Sequence, residues 1–197
     1  VKTFSGGLVS IAVPIIVLHQ LGGSELAVGL AHGVSGLAGM ISAMILGRID
    51  SRGRELRLLV LPMLLTAPVL LLLLVPAGQL GTSQPLLGFA VLCLGLLFVG
   101  LLEGPMDIGL FTIRQRRTDI VWIGRAFAIS MAANAMGYPI GAAVGGAMAE
   151  TSLETVVLLS VVVCLVAAVL ASRFVPRDDP SPVRSELPEG ARLATEA

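Results

Sequence analysis

Long apolar runs separated by short polar breaks set the pattern of this chain. The first run covers about Phe4 to Leu21 and contains Pro14, which membrane helices tolerate as a bend. Gly22-Gly23-Ser24 ends it, and Ser24 is placed to cap a second run from about Glu25 to Leu46. The stretch GRIDSRGRE, Gly47 to Glu55, then packs five charged residues into nine positions. A third run covers about Leu56 to Val75. The uncharged segment Pro76 to Pro85 is expected to be a loop. A fourth run, about Leu86 to Thr112, holds two acids, and the basic stretch Arg114 to Arg125 follows it. The fifth and sixth runs cover about Ala126 to Met148 and Leu153 to Phe174. Each is long enough to cross a hydrocarbon core of about 30 Å. The pattern predicts an all-α membrane protein, a bundle of six transmembrane helices over residues 1–174. Residues 175–197, rich in Pro, Asp, Glu, Ser and Arg, are expected to form a disordered cytoplasmic tail.

Composition agrees with this reading. The chain is 55% hydrophobic and 13% charged, with mean hydropathy +0.93. That leaves too little polar residue to clothe a soluble domain of 197 residues. A net charge of zero removes any simple electrostatic case for nucleic acid. Cys93 and Cys164 sit inside apolar runs without metal-ligand spacing and read as small buried hydrophobes. Six spans put all thirteen basic residues on one side: Lys2, then the arginines around 48–57, 114–125 and 173–192. The opposite loops hold only Glu25, Glu150 and Glu154. By the positive-inside rule the basic side is cytoplasmic, with both termini there, in the inner membrane of a cell. The chain opens on Val1 with no signal-peptide pattern, so it is expected to be a piece of something longer.

The candidate chemistry lies in LLEGPMDIG. Glu103 and Asp107 fall one turn apart on one face of the fourth helix, Glu103 about 16 Å inward from Arg114 and Asp107 about 6 Å nearer the water. A carboxylate at that depth must be paired, hydrated or protonated, which makes it a candidate for reversible proton binding. Gly104-Pro105 is expected to interrupt the helix between them, as in the broken helices of transport cavities. The structural alternative is a dry, hydrogen-bonded polar pair. His32, inside the second helix, could join a proton relay, and so could His19 near the end of the first. Small residues recur at four-residue spacing: Gly137, Gly141 and Gly145 around Pro139, Gly29 with Gly33, and Gly39, Ala43 and Gly47. Such rows let helices approach closely, or slide. Gly33-Val34-Ser35-Gly36 matches the GxSG of rhomboid proteases, but no histidine follows His32 to activate a serine. No enzyme and no cofactor are expected.

Asp50-Ser51-Arg52-Gly53-Arg54, joining two apolar helices, resembles the GxLxDRxGRR loop of the major facilitator superfamily. Asp50, Gly53 and Arg54 keep their mutual spacing, Gly47 stands one residue too close, and Ser51 and Glu55 replace arginines. Gln115 to Glu150 is similar to the tenth-to-eleventh helix region of bacterial exporters in that superfamily. Together these imply helices seven to twelve of a transporter, whose six-helix N-terminal half would be the partner. The resemblance further implies alternating access, with Asp50 and Arg54 as latch residues. The expected function is proton-coupled export of a small organic molecule, with Glu103 as the protonation site assisted by Asp107 and His32. The rival expectation is a non-transporting scaffold, in which Glu103 and Asp107 would be paired and dry.

Overall fold

The structure, a computed structural model, describes residues 2–48 and 53–175. Helix α1 (Lys2–Ile15) runs through Pro14 and widens into a π-helical turn, Ile16–Gln20. Gly22, at φ +61°, ends it in the left-handed conformation that a residue without Cβ adopts freely. The Gly23 amide closes back on the Val17 carbonyl at 2.8 Å. Ser24 caps α2 (Glu25–Leu46) by accepting the Ala27 amide. Helix α3 (Glu55–Leu71) stops short of the expected Val75. Two short helices, α4 (Leu74–Ala77) and α5 (Gln79–Ser83), occupy the segment expected to be a loop. Their fold is local: Gly81 lies so close to the Pro76 carbonyl that no side chain would fit there.

Helix α6 (Pro85–Arg117) is longer than expected, with 33 residues. Arg114, Arg116 and Arg117 continue its last turn, where cations suit the negative end of the helix dipole. Nor does Gly104-Pro105 break it, contrary to expectation. Pro105 has no amide to offer the Leu101 carbonyl one turn back, but the Ser42 hydroxyl of α2 donates to that carbonyl at 2.6 Å. A neighbouring helix thus supplies the bond the proline removes, and the helix stays continuous. Helices α7 (Ile123–Ala149) and α8 (Leu153–Phe174) complete the bundle, with Ser152 capping α8. Among the described residues six helices are long and apolar enough to cross a membrane.

The order of packing is not the order of the chain. Helix α1 packs on α7 and α8, α6 packs on α2 and α3, and α3 packs on α8. Exchanging α1, α2 and α3 for α6, α7 and α8 leaves these principal contacts unchanged. The bundle is therefore two three-helix units of one design, inverted relative to each other, as inverted repeats in transporters are. The core lies where α1, α3, α6 and α8 meet, around Leu8, Ile16, Leu70, Leu92, Val157 and Cys164. Helices α2 and α7 flank it and bury little: Gly141 and Gly145 are the buried residues of α7.

Small residues form both flanking contacts. On α7, Gly137, Gly141 and Gly145 face Thr3, Phe4 and Leu8 of α1, with Gly7 pressed against the Tyr138 carbonyl, whereas Pro139 is exposed. On α6, a Cβ at Gly104 would lie 2.6 Å from Ser42 Oγ and 2.7 Å from the Ala43 amide, and Gly100 abuts the Ser35 carbonyl. Of the two α2 rows, Gly39 and Ala43 meet α6, while Gly29 and Gly33 have nothing within 4 Å. Without water, close backbone approach of this kind is a main source of helix association.

Candidate functional site

Glu103 sits near the middle of α6, eighteen residues after Pro85 and fourteen before Arg117. Its Oε1 accepts a hydrogen bond from Lys2 Nζ at 2.8 Å in a direct ion pair. This corrects the placement of Lys2 among the loop cations. The start of α1 packs against the middle of α7, where the Thr3 hydroxyl donates to the Asn134 carbonyl and Phe4 meets Gly141. The lysine ammonium therefore lies level with Glu103, deep along the helices. A charge-assisted contact of this length is strong for its kind. Neither group is fully covered within the six-helix unit: the Lys2 side chain is 23% exposed and that of Glu103 45%.

The pair lies on the wall of a cavity of about 180 Å³ between α1, α2, α3, α6, α7 and α8, which Ser10, His32, Ser35 and Tyr138 also line. His32 Nδ1 is 3.1 Å from the Val28 carbonyl. A carbonyl only accepts, so Nδ1 is the donor of this bond, and the Nδ1–H tautomer leaves Nε2 as an acceptor. Asp107 is exposed on α6, one turn beyond the cavity lining but within electrostatic reach of Lys2 and Glu103. His19 lies exposed in the π-helical turn, away from this cavity. Glu103 and His32 are thus brought to one cavity, Asp107 to its edge, and Lys2 and Tyr138 join them without having been singled out in the sequence. Lysine preceding an apolar run reads as an interfacial residue. Only the tertiary register of α1 on α7 reveals its depth.

At the arginine-rich end, Asp50 lies outside the described residues. Gly53 turns the chain at φ +78°, and Arg54, exposed, precedes α3. Glu55 is buried: its Oε1 accepts the Gly53 amide at 3.1 Å and pairs with Arg116 at 3.0 Å, tying the start of α3 to the end of α6. An acid in the first turn also suits the helix dipole. Phe111 stacks on Phe127 at 6.1 Å, joining α6 to α7 at the same end, and Arg125 lies over the ring of Trp122, the residue that precedes α7, at 5.2 Å.

The sequence model of the Major Facilitator Superfamily matches residues 1–196. The chain is also similar to an uncharacterized MFS-type transporter, y4rN, of Sinorhizobium fredii, being 31% identical over 143 residues. That alignment covers 70% of the chain and 32% of the relative, so the chain spans about a third of the length of the curated protein it matches. No solved structure matches it. With six membrane-length helices in two inverted triplets and a family match over nearly its whole length, the chain belongs to the Major Facilitator Superfamily.

Proposed function

We propose that this chain is the C-terminal half of a secondary transporter that exports a small organic molecule in exchange for protons by alternating access. The observation that carries this is the part-exposed Lys2–Glu103 ion pair on the wall of a cavity at mid-helix. A scaffold would cover such a pair, because exposed charge deep in a bundle costs stability without a use for it. Glu103 takes up the proton. When it does, Asp107 one turn away becomes the carboxylate that answers the Lys2 charge, and His32 relays protons at the cavity edge. The arginine-rich end faces the cytoplasm of the cell, and Asp50 and Arg54, in the loop that Gly53 turns, latch that side against the N-terminal six-helix half.

Glu103→Gln in the full-length protein tests the coupling. Efflux driven by a proton gradient is expected to fall by about 100-fold, because glutamine keeps the shape and loses the titration. Unchanged proton-driven efflux in a well-folded variant would end this assignment. If the variant instead fails to fold and shows no selective loss of coupling, the scaffold reading gains.

A further inference from the structure

We infer that the cavity at Lys2 and Glu103 binds a small zwitterion of the amino-acid type, its carboxylate on Lys2 Nζ and its ammonium on the Glu103 carboxylate. This rests on reading the cavity as the substrate site of a transporter, and it adds the chemical class of the substrate.

Charge matching leads there. The cavity wall presents one ammonium and one carboxylate in contact at 2.8 Å, both partly exposed. Each group keeps hydrogen-bonding capacity beyond their mutual contact, since an ammonium has three donors and a carboxylate two oxygens. A cation drawn to Glu103 meets the like charge of Lys2 beside it, and an anion drawn to Lys2 meets that of Glu103, which costs affinity. A zwitterion laid across the pair avoids this, setting its carboxylate on Lys2 and its ammonium on Glu103. Its net charge of zero also matches the zero net charge of the pair.

The rest of the wall fits such a ligand. His32 Nε2, the acceptor left after Nδ1 bonds the Val28 carbonyl, can take a further ammonium N–H. The Tyr138 hydroxyl and that of Ser35 can donate to a carboxylate. Val9, Leu96 and Val99 supply an apolar patch for a short aliphatic stem. A volume of about 180 Å³ on this half has room for a small solute. The geometry also explains exchange: the substrate ammonium and the proton compete for the same Glu103 carboxylate, so loading one expels the other. Asp107, outside the cavity lining, then holds Lys2 in the protonated state.

The test is calorimetric binding to the purified full-length protein in nanodiscs at neutral pH. Glycine, L-alanine and γ-aminobutyrate serve as zwitterions, L-alaninamide as the cation and N-acetyl-L-alanine as the anion. At least one zwitterion is expected to bind about tenfold or more tightly than either single-charge analogue. Lys2→Gln and Glu103→Gln are each expected to lose that preference. The exchanged pair, Lys2→Glu with Glu103→Lys, keeps both charges and is expected to regain it, which guards against variants that merely misfold. Equal binding of the amide or the N-acetyl analogue, or no binding by any zwitterion, overturns the inference. Zwitterion binding that does not weaken on acidification would spare this inference and remove the proton exchange. Proton-driven efflux lost in Glu103→Gln, with no zwitterion bound, would do the reverse.

Discussion

At the scale of single residues, two polar contacts hold the site in place, and they differ in how far the sequence announced them. Glu103 is visible because an acid in the middle of a 33-residue apolar helix has no solvent to turn to. Its partner Lys2 is not, because nothing in local composition tells how deep α1 begins relative to α7. The second contact, Ser42 to the Leu101 carbonyl, follows from Pro105 but needs a neighbour that the sequence does not identify. It yields a double-mutant prediction. Ser42→Ala alone is expected to cost about 1 kcal/mol, since a proline-freed carbonyl loses its donor. In a Pro105→Ala background residue 105 regains its amide and can bond Leu101 itself, so the same Ser42→Ala change is expected to cost little. Thermal unfolding of the four variants measures the coupling. Equal costs in both backgrounds would mean that the serine does not stand in for the missing amide.

At the scale of elements, helix positions and caps were legible and packing faces were not. Ser24 and Gly22 mark the break between α1 and α2 as their chemistry requires. Helix α6 ran on to Arg117 because arginines in a last turn favour its continuation, where apolarity alone would end it at Thr112. The four-residue rows of glycine show that α2 has two smooth stripes without showing which is used. The structure separates them: Gly104 and Gly100 press on the stripe carrying Ser35, Ser42 and Ala43, whereas a Cβ at Gly36 would meet nothing within 4 Å. Gly104→Ala is therefore expected to lower stability by about 1–3 kcal/mol, because the Ala43 amide and the Ser42 side chain must both give way. Gly36→Ala is expected to be neutral or slightly stabilising, as alanine in an open helix position is. The two variants unfolding at the same temperature would show that α2 and α6 are not held this closely.

At the scale of the whole molecule, six spans could be counted from hydropathy, but the pairing α1 with α7 and α2 with α6 could not, because these partners are not neighbours in sequence. That pairing leaves α2 and α7 as the least covered helices, with Leu30, Leu37, Met40 and Met44 of α2 all more than half exposed. The chain spans about a third of the length of its MFS-type relative, and in the proposed two-half transporter these faces meet the N-terminal six helices. The open glycine row distinguishes that role from simple lipid exposure. Gly33→Leu fills space that the six-helix unit leaves empty, so the unit on its own is expected to keep its unfolding temperature. A row reserved for a partner helix behaves differently once the partner is present. A leucine there would hold the backbones apart, and co-expression with the separate N-terminal half should then yield about tenfold less complex and correspondingly less transport. Unimpaired assembly would assign the row to lipid. A lowered unfolding temperature in the isolated unit would mean that α2 turns this stripe inward, which would reverse the order of packing on which the cavity at Glu103 depends.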